Sequence, residues 1–453
     1  MLKNKMILTL ILVVLITAVS FGCEAILVGD TLITSTHVIQ QTEIPTKERI
    51  EVSNYDDLKL EMLNFVKQHE DSGRIYASYN GNVVEDVQSA CDEIKNNDPL
   101  GAYAVSKISG IAIKVVSYFE IDVNIEYSRT KQQVDSIKDV SNQGVLQTDL
   151  REAMGNYIEE AVFHTTLNIT EEYIDELVKE IYYKNPREIV VMPTVGMETF
   201  PDSGEDRIIE LRFGYLEQAS ILSQYGERLS NDVKNHAAMA SGGNDPELLL
   251  SSVENLIAAC GYDYDKVRTI REHGSQNFAA TAYGALAKGN AVGEGFAMAF
   301  KAICDQLNID GCIVVLGYRY KVVHAWNIVP LNGAYYHIDV AMCAVNGIKT
   351  AFLKTDADLS GIYEWDRGKT VSCNGKLTYE DVAGVEEEEI PDEELGEPGE
   401  ESGEPGEESG ESVEQNDDET GQTSKPSEDE AEQAPETSGD EEVNIQDNTN
   451  ELE

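Results

Sequence analysis

The chain has 453 residues, with 83 acidic and 34 basic side chains, a formal net charge of −49 and seven cysteines. That length allows two or three domains with sizeable cores. The charge balance, and the absence of Lys and Arg clusters able to hold phosphates, exclude nucleic acid as a partner.

The first element is an apolar run. Lys3 and Lys5 precede an uncharged stretch from Met6 to Phe21, the pattern of an export signal or membrane anchor over residues 1–23. Cys23 stands where a bacterial lipoprotein signal would be acylated, although Ser20 and Phe21 depart from the usual residues before it. Lipoprotein, cleaved signal and uncleaved anchor stay open as readings. All three place the rest of the chain outside the membrane, in or beyond a bacterial cell envelope, with residues 24–50 as a linker.

An internal repeat follows, read as two small α/β modules over residues 51–140 and 141–225. Both begin on a helical start, DLKLEM at Asp57 and DLREAM at Asp149. Both carry a second helix ending in the same pattern, EIKNNDP from Glu93 and EIYYKNP from Glu180, where Pro99 and Pro186 act as stops. Strand-like runs then close on IDVNIEY and IELRFGY, ending at Tyr127 and Tyr215. The expected unit is helix-helix-strand-strand-helix, present twice. It serves as spacer, partner surface or substrate platform and holds no catalytic constellation.

Residues 226–384 read differently. Phe296, Phe300, Ile303 and Leu307 draw one apolar stripe on a helix expected from Asn290, its N-cap, to Leu307. A buried strand begins at Cys312. Val322–Val329 alternates with His324, Trp326 and Ile328 on one face, and Tyr335–Val340 alternates with Tyr335, His337 and Asp339 on one face. A turn centred near Leu331 and Asn332 sets His324 opposite Asp339. A register shifted by two leaves them diagonal neighbours. In either case the imidazole and carboxylate come within reach, as a base and the group that orients it.

These residues carry a resemblance. TAYGALAKGNAVGEGFAMAFKAICDQLNI, VVHAWNIV, AYYHIDVAM and AFLKTDADLSGIYEWDR resemble the bacterial transglutaminase-like superfamily, over about Leu248–Cys373. The resemblance implies a papain-like α+β domain in which a cysteine opening the central helix is the nucleophile, the histidine of HAW is the base and the following Asp orients it. Carried over, His324 is the base and Asp339 the orienter. The nucleophile position is Gly293, within AVGEGFA where the superfamily has A-V-C-E-G-(Y/F)-A. A glycine brings no thiol to a helix start that would otherwise stabilise thiolate.

Other thiols do not replace it. Cys304 lies eleven residues on, about 16 Å along the helix, Cys312 opens the next strand, and Cys343 falls beyond Asp339. Cys260 alone is not excluded by spacing. The six cysteines after Cys23 contain no CxxC pair, and disulfides or buried free thiols both fit them. His324, His337 and Asp339 on one hairpin make a poor metal cage, so neither metal nor cofactor is expected. From Val385 to Glu453 the chain holds 29 acidic residues against Lys425 alone and repeats GEPGEES, which reads as a disordered acidic tail over residues 385–453.

The function expected is that of an exported pseudoenzyme, a binding or structural module for a protein or peptide ligand. The alternative is an active cysteine peptidase or glutamine amide-transfer enzyme acting on envelope proteins.

Overall fold

The computed structural model describes residues 49–384. The expected leader and acidic tail, with nearly all of the linker, lie outside the described residues. The described chain is mixed α/β, of the α+β class.

A first four-stranded sheet is built from β1 (Ile50–Val52), β2 (Ser72–Ala77), β3 (Val105–Val115) and β4 (Tyr118–Tyr127) in the order β1-β2-β4-β3. One face is covered by α1 (Tyr55–Gln68) and α2 (Val83–Asn96). Asn54 starts α1 by accepting the Asp57 amide at 2.9 Å, and α2 turns Val83, Val87, Ala90 and Ile94 inward at helical spacing. Pro99 does more than stop α2. It is the first residue of a short helix α3 (Pro99–Ala104), capped by Asp98, a position where proline costs no hydrogen bond.

The second sheet repeats that order and sense of pairing. A short α4 (Lys131–Asp135) leads into β5 (Lys138–Asp139), α5 (Gln143–Gly155), β6 (Glu160–Thr165), α6 (Glu171–Lys184), β7 (Thr194–Phe200) and β8 (Arg207–Gly214), with sheet order β5-β6-β8-β7. In both sheets the first strand pairs in parallel and the other pairings are antiparallel. The unit is therefore strand-helix-strand-helix-strand-strand, and the helix-helix start expected from the sequence is corrected. β1 and β5 are too short to show alternation, and the strand between the two helices carries Gly73 and Arg74 in one unit and His164 in the other, which hides its period.

The first unit lies on the outer face of the second sheet. Val162 and Ile208, turned away from the second sheet's own helices, join the first unit's core together with Phe200. Tyr103 meets Phe200 edge-to-face at 5.4 Å. Between the units sits Glu210, 1% exposed, held by Arg129 at 2.9 Å and by Arg212. Glu210→Gln removes the charge that two guanidiniums share and leaves them facing each other in a partly dry interface. We expect a loss of about 3 kcal/mol, the lower end of what breaking a buried ion pair costs because Arg212 is half exposed. Urea unfolding of wild type and variant measures it.

The remaining chain folds onto the second unit and shares its core. It contains α7 (Ala219–Met239), α8 (Asp245–Ala259), β9 (Gly261–Tyr262), α9 (Tyr264–Thr269), α10 (Ala282–Lys288), β10 (Asn290–Ala291) and α11 (Gly293–Gln306). Then come β11 (Ile313–Arg319), β12 (Val322–Leu331), β13 (Ala334–Ile338), α12 (Val340–Asn346), β14 (Tyr363–Trp365) and α13 (Tyr379–Ala383). The sheet runs β13-β12-β11-β14, all antiparallel, and α11 packs against β12 with twelve of its fourteen residues buried.

Candidate functional site

Three short features build the site. α11 begins at Gly293, and its N-cap is Val292 without a side-chain hydrogen bond. Asn290, the cap expected from the sequence, lies instead in β10 and donates to Asp263 at 2.7 Å. The β12–β13 turn is Asn332–Gly333, with φ of +51° and +80°, the paired left-handed conformation that Asn-Gly adopts in two-residue hairpins. This sets Asn327 against Ile338, the register shifted by two, in which His324 and Asp339 are diagonal neighbours. Asp339 is also not a strand residue. β13 ends at Ile338, and Asp339 caps α12 by accepting the Met342 amide at 3.0 Å.

The pair is tight. His324 Nε2 is 2.6 Å from Asp339 Oδ2, and both side chains are at most 4% exposed. Tyr363 donates its hydroxyl to the same oxygen at 2.7 Å. Burial works against ionisation of Asp339, but the His324 charge, the hydrogen bonds from His324 and Tyr363 and the Met342 amide outweigh it. The carboxyl is thus held below its ordinary range. Because an ionised carboxylate only accepts, the proton sits on Nε2 of His324. In the neutral ring, Nδ1 is left with a lone pair.

That lone pair faces Gly293. A β-carbon built on Gly293 would lie 2.5 Å from His324 Cε1 and nearer still to Nδ1. The ring occupies the place where a side chain at 293 would begin. It is held there by Asp339 on one edge and by Trp326, whose ring lies stacked at 6.2 Å, on another. The void beside Gly293 measures about 10 Å³, no more than one water needs (roughly 10–15 Å³). His324, Gly293, Glu294 and His273 line it with apolar neighbours, and no cysteine does.

Glu294 and His273 escaped the sequence reading. Glu294 is 4% exposed, accepts from Tyr183 Oη at 2.8 Å and from the Gly274 amide at 3.1 Å, and stands 3.7 Å from His273 Nδ1. The His273 ring is anchored through Nε2 to the Gly317 carbonyl at 3.0 Å. His273 also lines a groove of about 1040 Å³ between α6, residues 192–195, residues 271–274 and the first half of β11. The closed centre and the open groove therefore adjoin at one imidazole.

The other expected participants are placed elsewhere. His337 does not compete for Asp339: its Nε2 meets Asp356 at 2.8 Å and its Nδ1 accepts from Trp326 Nε1 at 3.0 Å. An indole only donates, so the His337 proton lies on Nε2 and goes to Asp356. His337, Asp356 and Cys373 bring ligand atoms within 4.8 Å of one another, but this tautomer commits Nε2 to Asp356 and leaves it no lone pair for a metal. Burial, and then Asp356, push the Cys373 thiol up to about 12. Cys260 caps α8, and burial pushes its thiol up to about 12. Cys343 is on α12 rather than beyond a strand, and burial raises its thiol as well. Cys304 is buried near Cys312, which precedes β11 by one residue. All six described cysteines are free and buried.

Fold and site together define a class in structural terms: an α+β chain in which an imidazole on an antiparallel sheet, paired with a carboxylate at the following helix N-cap, faces the first turn of a buried helix. Among solved structures the chain is similar to a TGase, at 12% identity and a TM-score of 0.21, over 65% of this chain and 59% of that one. It is similar to a candidate cysteine protease from Cytophaga hutchinsonii, at 15% identity and a TM-score of 0.21, over 39% of this chain and 74% of that one. It is also similar to a candidate protease from Parabacteroides distasonis, at 9% identity and a TM-score of 0.18, over 59% and 40%. The chain thus spans under two thirds of the TGase it matches. No family model and no curated protein matches it.

Proposed function

We propose that the chain is a transglutaminase-like pseudoenzyme of the bacterial envelope, a binding or structural module whose reaction centre is closed. One observation carries this reading: the His324 ring stands where a side chain at position 293 would begin, and only a water-sized void remains beside it. His324 and Asp339 are paired, yet no thiol lines the void, and burial raises the thiols of Cys260, Cys304, Cys343 and Cys373. Export rests on the leader-like run before Cys23. The two like sheets are read as two copies of one module, carrying the C-terminal domain away from the tether. Ligand binding falls to the groove beside α6, whose size suits a peptide side or small loop.

Turnover tests the reading. Peptide hydrolysis and amine incorporation into glutamine substrates are expected to match the His324→Ala variant, at background. Turnover that His324→Ala abolishes would establish the cysteine-enzyme alternative, with its nucleophile supplied by another residue.

A further inference from the structure

The end of β11 carries a second, smaller depression of about 280 Å³, bounded by Arg319, α12 and residues 350–363. It shares no lining residue with the groove beside α6. Its buried part is apolar: Met342, Ala351, Leu359 and the Tyr363 ring line it and are 4–8% exposed. Its more exposed part is basic and polar, formed by Arg319, Lys354, Asn346 and Thr350. Asp358 is its one acidic residue among the described residues.

Charge sets this depression apart. On a chain of net charge −49 a cation readily finds a carboxylate, as Lys301 does at Asp305 and Lys349 at Glu380. Arg319 and Lys354 form no ion pair among the described residues, and the Nε of Arg319 is buried without a hydrogen-bond partner. The Arg319 guanidinium lies instead over the rings of Tyr320 at 4.8 Å and Tyr363 at 5.7 Å, contacts that fix its plane and leave N–H donors unspent. Asp358 is engaged by its own turn, where Oδ2 accepts from the Thr355 amide at 2.8 Å and the Thr355 hydroxyl at 2.7 Å. A buried donor without an acceptor costs stability that a ligand oxygen restores.

We propose that this depression binds the C-terminal carboxylate of a peptide whose last side chain is apolar. Two unpaired cations call for an anion, and the planar guanidinium fork matches the two oxygens of a carboxylate. The apolar lining separates such a ligand from an inorganic anion, which would gain nothing from Met342, Ala351 and Leu359. The volume suits a single terminal residue, since sites for larger ligands run to about 300–1,000 Å³. Thr350, whose hydroxyl donates to the Gly347 carbonyl at 2.7 Å, keeps an oxygen able to accept the peptide amide. The ligand would rest against Tyr363, whose hydroxyl donates to Asp339 at 2.7 Å, one side chain away from the closed centre.

The test titrates an acetylated glycyl-alanyl-leucine peptide into the full-length protein, once with a free C-terminal carboxylate and once as the C-terminal amide, followed by ligand-observed NMR. The acid is expected to bind about tenfold more tightly than the amide. Lys354→Met is expected to weaken the acid about tenfold and leave the amide unchanged. Arg319→Lys, which keeps the charge but not the fork, should weaken the acid by a smaller factor. Urea unfolding checks that both variants stay folded. Equal binding of acid and amide, or binding of neither, overturns the proposal with no variant needed. An acid affinity untouched by Lys354→Met places the peptide elsewhere, such as the groove beside α6, and overturns it too. Inorganic phosphate that displaces the acid at equal concentration assigns the depression to small anions in general, against the peptide terminus.

Discussion

Gly293→Cys is expected to yield an unstable protein with an ordinary thiol, not a revived enzyme. The obstacle is the β-carbon, which would fall within 2.5 Å of the His324 ring and against the Ala325 carbonyl at 3.3 Å. The backbone carbonyl cannot retreat, so the ring must turn away and give up its 2.6 Å hydrogen bond to Asp339. Overfilling a packed interior costs about 1–3 kcal/mol, and Gly293→Ala is expected to carry most of the cost of Gly293→Cys, because both add the clashing β-carbon and the thiol adds a sulfur besides. Denaturant unfolding measures both. Iodoacetamide should alkylate the new thiol no faster than a model thiol at the same pH, since the imidazole that would activate it has been displaced. Rapid alkylation that depends on His324 would show the ring able to step back and take up a catalytic pairing.

Asp339→Asn is expected to be the most damaging single change in this region, at about 3 kcal/mol, near what breaking a buried charged pair costs. Asp339 uses both oxygens: Oδ1 caps α12, while Oδ2 receives His324 and Tyr363. An amide can keep one of these roles. Its NH₂ must then confront either the Met342 amide or the two donors on the other side. The loss should depend on pH. The folded carboxyl is held below its ordinary value of about 4, so it contributes stability above the unfolded pKa and loses that contribution as pH falls through the folded one. The gap between wild type and Asp339→Asn in urea unfolding should therefore be full at neutral pH and narrow in acid below about pH 4.

How far the site was legible in the sequence depends on how local each partner is. His324 and Asp339 could be paired because a single hairpin holds them, and turn residues between alternating strands announce a hairpin, even though the expected centre at Leu331 and Asn332 gives way to Asn332–Gly333. The strand period blurred the end of β13. In the sequence the alternation runs on through Asp339, but the chain has already turned into α12 there, and a carboxylate suits an N-cap as well as a strand. Tyr363 is 24 residues from Asp339, and Tyr183 is 111 residues from Glu294. No short-range pattern ties such partners together, so they emerge only from the packing of separate elements. The closure itself was beyond reach of the sequence for the same reason. A glycine at a helix start reads as a missing thiol, whereas the approach of β12 to that helix decides whether the space stays open.

The same distinction explains the modules. Their helices declared themselves through matching starts and proline stops. Their first strands are two or three residues long and lean on a parallel neighbour, which no run of residues can advertise.

The claim on which the account turns is that the His324 ring and a side chain at position 293 exclude one another, and a double-mutant cycle between Gly293→Ala and His324→Ala measures it most directly. In the wild-type background the added methyl should cost about 1–3 kcal/mol. With the imidazole removed, the methyl should enter the vacated space at little or no cost, leaving a coupling energy nearly equal to that penalty. An equal cost in both backgrounds would mean the ring does not occupy that place, and the closed centre proposed here would be contradicted.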